Sequence, residues 1–248
     1  MLTDIRNRHL QQDKIALRQL LVASQGDADA MVELGLKYLE GDGVTQDYEE
    51  AKNLFLKAAE LGSEEALHNL GYMYYSGEGV RKNRKKALEY YHKAAEMGSV
   101  ESMMNIAMMY DYGDGVHKDI ETAIEWYLEA AVLGFGPAMY NLGCCYGQQG
   151  KDELAVTWIK RAAAVDFPDA IYTLGEIYFN GTGLPVNYME ALKWYKKAAS
   201  FGNSKAMYQL SLMYLHGLGV KASSRKAEEW FDRAERAHEL YGDDDDEY

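Results

Sequence analysis

Apolar and small residues recur along the chain at spacings of three and four, the period of an amphipathic helix. Leu70, Gly71 and Tyr74 fall on one stripe, and Ala87, Tyr91 and Ala94 on a second stripe a little further along. Between the stripes lies a short polar stretch bounded by glycine. The pattern predicts two helices joined by a turn. The same pattern returns down the chain, so it predicts an all-α protein built from many such pairs.

The return is regular. Ala30, Ala66, Ser102, Ala138, Ala170 and Ala206 open equivalent segments, 36 residues apart except for one step of 32. Five residues later come Gly35, Gly71, Ala107, Gly143, Gly175 and Ser211, all small, followed by Tyr38, Tyr74, Tyr110, Tyr146, Tyr178 and Tyr214. The second helices carry Ala51, Ala87, Ala123, Ala155, Ala191 and Ala227, each followed four residues on by Phe55, Tyr91, Tyr127, Ile159, Tyr195 or Phe231. Small residues let helix backbones approach closely, and the ring of a neighbouring helix is expected to fill the space beside them. Gly41-Asp42-Gly43, Gly77-Glu78-Gly79, Gly113-Asp114-Gly115, Gly181-Thr182-Gly183 and Gly217-Leu218-Gly219 mark the turns, where glycine takes the left-handed conformation that ends a helix. Asp47, Asn83, Asp119, Asn187 and Ser223 are placed as N-caps of the second helices, and Ser63 and Ser99 as caps of first helices. Asp47 with Glu50, and Asn187 with Glu190, resemble capping boxes. Gly62, Gly98, Gly134 and Gly202 close the second helices.

Residues Ala66 to Val80, followed by Lys86 to Gly98, resemble a Sel1-like repeat, a relative of the tetratricopeptide repeat with a longer loop inside each unit. The resemblance covers six copies: 30–65, 66–101, 102–137, 138–169, 170–205 and 206–241. The fourth departs from the pattern, with a loop four residues shorter at Gly147-Gln-Gln-Gly-Lys-Asp. Ser211 and Glu235 make the last copy more polar, as suits an exposed terminal repeat. Residues 1–29 are expected to form a capping helix or half-repeat, since 13–26 align with a second helix alone. The resemblance implies a right-handed superhelical α-solenoid, with first helices lining a concave face and second helices the convex one.

Transferred by that resemblance, the concave groove is lined by Val32, His68, Met104, Tyr140, Tyr172 and Tyr208. Next come Leu36, Tyr72, Met108, Cys144, Glu176 and Leu212, and then Leu39, Tyr75, Asp111, Phe179 and Leu215, with Tyr112 and His216 beside them. A stripe so rich in tyrosine and methionine suits a peptide or partner protein. The same rings could equally serve packing between repeats. Asn69, Asn105 and Asn141 form a ladder, with Gln209 further along, able to pair with a peptide backbone or to tie repeats together.

Charge narrows the function. Aspartate and glutamate total 39 against 26 lysines and arginines, a net charge of −13. Nucleic-acid and anionic-lipid binding need a basic footprint and are not expected. Asp243 to Glu247 form an acidic run, read with 242–248 as a disordered tail. One basic cluster breaks the background: Arg81, Lys82, Arg84, Lys85 and Lys86. Positive charge at a helix N-terminus opposes the dipole, so the cluster is read as a patch for an acidic partner or as a solvated loop, not as a local stabiliser. No apolar leader or membrane span is seen, and adjacent Cys144 and Cys145 cannot pair with each other without distortion, so a reducing, cytoplasmic setting is expected.

Catalytic motifs are weak. Ser223-Ser-Arg-Lys226 matches Ser-x-x-Lys in spelling only, and Gly-x-Gly follows no strand. Glu65-x-x-His68 and Glu89-x-x-His92 have di-iron spacing but no converging carboxylates. No cofactor, no metal and no catalytic residue are expected. The chain is read as a non-enzymatic scaffold or adaptor for a peptide or protein, a monomer or weak homodimer. Alternatives are an inhibitor or immunity-type protein that blocks a toxin or enzyme and, remotely, a β-lactam-binding or hydrolysing enzyme of the cysteine-rich kind, whose regularly spaced cysteines this chain lacks.

Overall fold

The computed structural model describes residue 22 and residues 26–241, so the half-repeat expected at 13–26 and the acidic run at 243–247 lie outside the described residues apart from Val22 and Gly26. Twelve helices and no strand occur among the described residues: α1 Ala28–Glu40, α2 Tyr48–Glu60, α3 Glu64–Ser76, α4 Arg84–Glu96, α5 Val100–Tyr112, α6 Ile120–Val132, α7 Gly136–Gln148, α8 Asp152–Ala164, α9 Pro168–Asn180, α10 Tyr188–Ser200, α11 Ser204–His216 and α12 Ser224–Tyr241. Odd-numbered helices are first helices and even-numbered ones second helices. Each first helix begins two residues before the recurrent alanine or Ser102. The chain divides into two compact units, Met1–Trp126 and Tyr127–Tyr248, with the boundary inside α6.

Four of the six helix pairs close by laying one side chain on the bare backbone of a glycine; the third and sixth carry Ala107 and Ser211 at that place. A Cβ built on Gly71 would fall 2.6 Å from the Tyr91 ring, and one on Gly175 2.7 Å from the Tyr195 ring. Gly35 faces Phe55 in the same way, and Gly143 faces Ile159. Tyr91 and Tyr195 are each only 1% exposed, and Phe55 is fully buried. Burying such a ring contributes roughly 2–3 kcal/mol. Around these contacts the first unit buries Leu34, Leu70, Met73, Ile106 and Met109, and the second buries Leu142, Ile171 and Leu174.

The turns follow one scheme. The first glycine of each Gly-x-Gly ends a first helix with positive φ, as at Gly77 (φ 90°), whose N–H bonds the Met73 carbonyl. The next anchor is a backbone bond from the N-cap N–H to the carbonyl of the recurrent tyrosine. Asn83 N donates to Tyr74 O at 2.8 Å and Asn187 N to Tyr178 O at 2.8 Å; Asp47, Asp119, Lys151 and Ser223 make the equivalent bond. This corrects the capping-box expectation. The Asp47 carboxylate does accept from Glu50 N at 3.0 Å, but its own N–H is already taken by Tyr38 O, leaving no donor for a reciprocal Glu50 side chain. Asn83, Asp119, Asn187 and Ser223 cap as expected. The fourth loop keeps the backbone bond despite its missing residues, through Lys151 N and Tyr146 O at 2.9 Å. α9 opens with Pro168 in place of a side-chain cap, a position where the lost N–H costs nothing. Asp166 stands where other repeats carry glycine and is the one non-glycine with positive φ among the described residues (61°); its carboxylate holds Lys197 Nζ at 2.6 Å.

The second glycine latches one repeat to the one before. A Cβ on Gly79 would lie 2.1 Å from Tyr48 Cβ, and one on Gly115 2.1 Å from Arg84 Cβ. In the second unit Gly183 meets Asp152, and Gly219 meets the Tyr188 backbone at 2.5 Å. By contrast Gly98, with φ 101°, faces open space. Both Gly79→Ala and Gly98→Ala pay for left-handed backbone, about 1–2 kcal/mol. Only the first also drives a methyl into the preceding helix. Gly79→Ala is therefore expected to destabilise by roughly 3 kcal/mol or more and Gly98→Ala by about 1, measured by urea unfolding. Equal losses would mean that the latch carries no stability.

Candidate functional site

The first-helix stripe is neither a fully open groove nor a buried seam. Val32 and Leu39, expected to line the groove, are buried in the core of the first unit, because they face α2 and the following pair. The other expected residues keep at least part of their surface. In the first unit Tyr72 is 41% and Tyr112 69% exposed, while His68, Tyr75, Met104 and Met108 are half-buried. In the second, Tyr208 is 46% exposed, and Tyr140, Tyr172 and Phe179 are half-buried.

The half-burial has a cause in repeat geometry. His68 lies 5.6 Å from the Tyr91 ring, Tyr172 5.8 Å from Tyr195, and Tyr208 6.3 Å from Phe231, centroid to centroid. His68 and Tyr172 lean on the rings that their own pairs lay on Gly71 and Gly175, while Tyr208 leans on the exposed Phe231. The polar ends of His68 and Tyr140 reach the next repeat. His68 Nδ1 and Ser102 Oγ share a 3.0 Å hydrogen bond, and Thr173 Oγ1 donates to Tyr140 OH at 3.5 Å. Tyr140 also packs at a tilt against Phe167 at 5.5 Å, and Phe179 edge-on against Tyr188 at 5.3 Å. Burial, with small contributions from Cys144 and Asp169 beside it, pushes the Tyr140 hydroxyl up to about 12; burial and Glu176 do the same for Tyr172. Of the asparagine ladder, Asn141 donates to Tyr127 OH of the preceding repeat at 3.4 Å, a tie between repeats. Asn69 and Asn105 are half-buried on the same stripe.

The second unit holds an open cleft of about 390 Å³ on this face, lined among others by Tyr172, Tyr208, Gln209, Phe231, Glu235 and His238. Asn203 caps α11 through Ala206 N at 2.7 Å and so fixes the turn that carries Tyr208. Tyr172 OH is held at 3.1 Å by Glu176, with Gln209 beside it. Phe231 had been grouped with the buried second-helix rings, yet it is 42% exposed. Among the described residues no first helix follows α12 to cover it. Its position in the sixth copy was the available signal.

The basic cluster divides in two. Arg84 Nε donates to Asp114 Oδ1 at 2.8 Å, its guanidinium lies 3.6 Å over the Tyr75 ring, and it bonds the Tyr75 carbonyl. Lys86 Nζ donates to Tyr74 OH at 2.7 Å, 4.1 Å above that ring. These two corrected expectations have one reason: each cation offsets its unfavourable place at the helix start by a specific local contact. Burial raises the Asp114 carboxyl, but hydrogen bonds from Tyr75 and Arg84 outweigh it and hold it below the usual range. Arg81, Lys82 and Lys85 remain exposed. Ser223-x-x-Lys226 is a helix cap, with Lys226 N on Ser223 Oγ at 3.4 Å and the ammonium over Tyr214. Among the described residues, no cluster of histidine, cysteine and carboxylate groups could hold a metal, and no helix is long and apolar enough to cross a membrane.

The Sel1 repeat family matches residues 28–63, 64–99, 100–135, 136–166, 168–203 and 204–238, and the chain belongs to this family of helical repeat scaffolds, whose repeats generally mediate protein interactions. A Sel1 repeat protein from Oxalobacter formigenes is 36% identical over 86% of this chain and 89% of that one, with a TM-score of 0.76. A protective antigen present in uropathogenic Escherichia coli strains, displaying an SLR fold, is 35% identical with a TM-score of 0.77; the match covers 91% of this chain but 51% of that one, so this chain spans about half its length. An immunity protein from Pseudomonas aeruginosa, 24% identical over 87% of this chain and 83% of that one, shares the fold with a TM-score of 0.54. No curated protein sequence matches the chain.

The His68 contact carries a pH dependence. Burial holds its imidazole below the ordinary value, with Glu101 opposing, and burial does the same for His92, opposed by Glu96. The unfolded chain therefore takes up protons near pH ~6.5 that the folded chain refuses. The stability due to neutral His68 is present above that value and is lost as pH falls from it toward the lowered folded pKa. His68→Gln cannot titrate, and its urea midpoint is expected to fall less than wild type's between about pH 7 and pH 5. Parallel profiles would contradict a neutral, half-buried His68.

Proposed function

We propose that the chain is a non-catalytic interaction scaffold that receives a peptide or partner surface along its first-helix face. The observation that carries this reading is the cleft of about 390 Å³ in the second unit, where Tyr208 and Phe231 leave large apolar surface open beside the polar ends of Tyr172 and Gln209. Aromatic area with hydroxyl and amide groups at its edge is the chemistry of a protein-binding patch. On the same reading Tyr140 and Phe179 in the second unit, and His68, Tyr72, Tyr75, Met104, Met108 and Tyr112 in the first, extend the contact within their own units. Asn69 and Asn105 offer amides to a bound backbone. A cytoplasmic setting goes with this reading, because Cys144 and Cys145 are not bridged as a disulfide.

A second reading, an inhibitor or immunity-type role, draws on the net charge of −13, which suits masking of a basic active site. The likeness to immunity proteins is one of fold and names no target.

The test is capture from a lysate with Tyr172→Ala/Tyr208→Ala beside wild type, followed by affinity measurement on the captured partner. Removing two central aromatic anchors is expected to weaken binding at least ~100-fold while helicity stays native and the variant, though less stable, remains folded. Undiminished capture by a folded double variant would exclude this face. A captured basic enzyme that loses activity on binding would favour the inhibitor.

A further inference from the structure

A second concavity, of about 580 Å³, lies wholly within the first unit at the turn between α3 and α4, lined among others by Lys52, Tyr74, Arg81, Lys82, Asn83 and Lys86. Four cations thus border one cleft in a chain whose net charge is −13. Lys118, Lys221 and Lys226 stand at the positions of Lys82, Arg81 and Lys86 in other copies, but no other copy combines all four cations. Lys52 stands where later copies carry Leu88, Ile124, Val156 and Leu192, and Lys86 where the first and fifth copies carry Glu50 and Glu190. The first turn of α4 holds no acidic residue, although acid is the favoured charge there. Among the described residues Lys52 and Arg81 make no ion pair, Lys82 acts on Asp114 through its field, and Lys86 is held in place by a neutral hydroxyl. The cleft is therefore positively charged and unneutralised, with one of its ammonium groups already oriented.

We propose that this cleft binds a short run of carboxylates, and that the occupant is the segment Asp243-Asp244-Asp245-Asp246-Glu247 of this protein. The charge count supports this occupant. Five consecutive carboxylates match four cleft cations plus the exposed Lys85 beside them. A long polyanion such as a nucleic acid would meet the rest of an acidic surface, whereas a five-residue run need not extend past the cleft. Loosely held carboxylate–ammonium pairs at a surface are screened by salt, so the contact should be reversible and sensitive to ionic strength.

The test uses the full chain and a fluorescein-labelled peptide of residues 241–248, Tyr-Gly-Asp-Asp-Asp-Asp-Glu-Tyr, read by anisotropy at low and at physiological salt. In the variant D243N/D244N/D245N/D246N/E247Q the chain's own run no longer competes. That variant is expected to bind the peptide about tenfold more tightly than wild type, with the affinity falling as salt rises. Adding K52Q/R81Q/K82Q should abolish binding, while a peptide with Asn and Gln in place of Asp and Glu should not bind at all. Arg84 and Lys86 are left intact because they hold local structure, and circular dichroism checks the fold of each variant. Equal peptide affinity for wild type and the run-neutralised variant would overturn the assignment, since the cleft would then serve acidic segments from elsewhere. Absence of binding to either chain would overturn it as well.

Discussion

A side chain laid flat on a helix with no Cβ at the point of contact is the interaction on which four of the six repeats depend. Gly71 under Tyr91 and Gly175 under Tyr195 bring two helices of a pair within ring thickness of each other. The contact fixes both helices at once, because the ring can occupy that place only when the glycine faces it. The half-buried residues of the first-helix face follow from it. His68 and Tyr172 rest on those same second-helix rings, so the surface they offer to a partner is held by the core beneath it. A binding face supported in this way costs little ordering entropy when it is covered.

Stacking between repeats is a separate matter, handled mostly by the loop. Its first glycine turns the chain and its second sits against the start of the preceding second helix. The latch accepts different partners at each seam: a tyrosine at Tyr48, the aliphatic stem of Arg84, Asp152, and bare backbone at Tyr188. What is conserved across the copies is the missing methyl, and the opposing side chain varies freely. Arg84 shows how that freedom can be used, since its stem fills the latch while its guanidinium joins Tyr75 and Asp114 across the second and third repeats.

The helices, their caps and the ring-on-glycine contact were legible in the sequence because they recur. Six aligned copies of small residue, tyrosine and alanine leave one regular solution for local structure. The unequal parts were harder to read. Val32 and Leu39 shared the register of groove residues, but register says which way a residue points from its helix and not whether the next pair covers it. Phe231 carried the same letter pattern as Phe55, and only the absence of a covering helix among the described residues separates their exposures. Arg84 and Lys86 looked like misplaced charge until their partners Asp114 and Tyr74 came into view, and neither partner is close in sequence. Lys52 and the second unit's cleft depend on which helices meet in space, which periodicity does not record.

The backbone bond from Asn83 N to Tyr74 O, and its counterparts in every repeat, make each loop a closed ring whose ends are pinned independently of what lies between them. The fourth repeat demonstrates this by losing four residues there while Lys151 still reaches Tyr146. Such a hinge-free clasp turns the segment into an exchangeable cassette: evolution, or a protein engineer, can shorten it or splice in a foreign epitope without renegotiating the helix pair on either side.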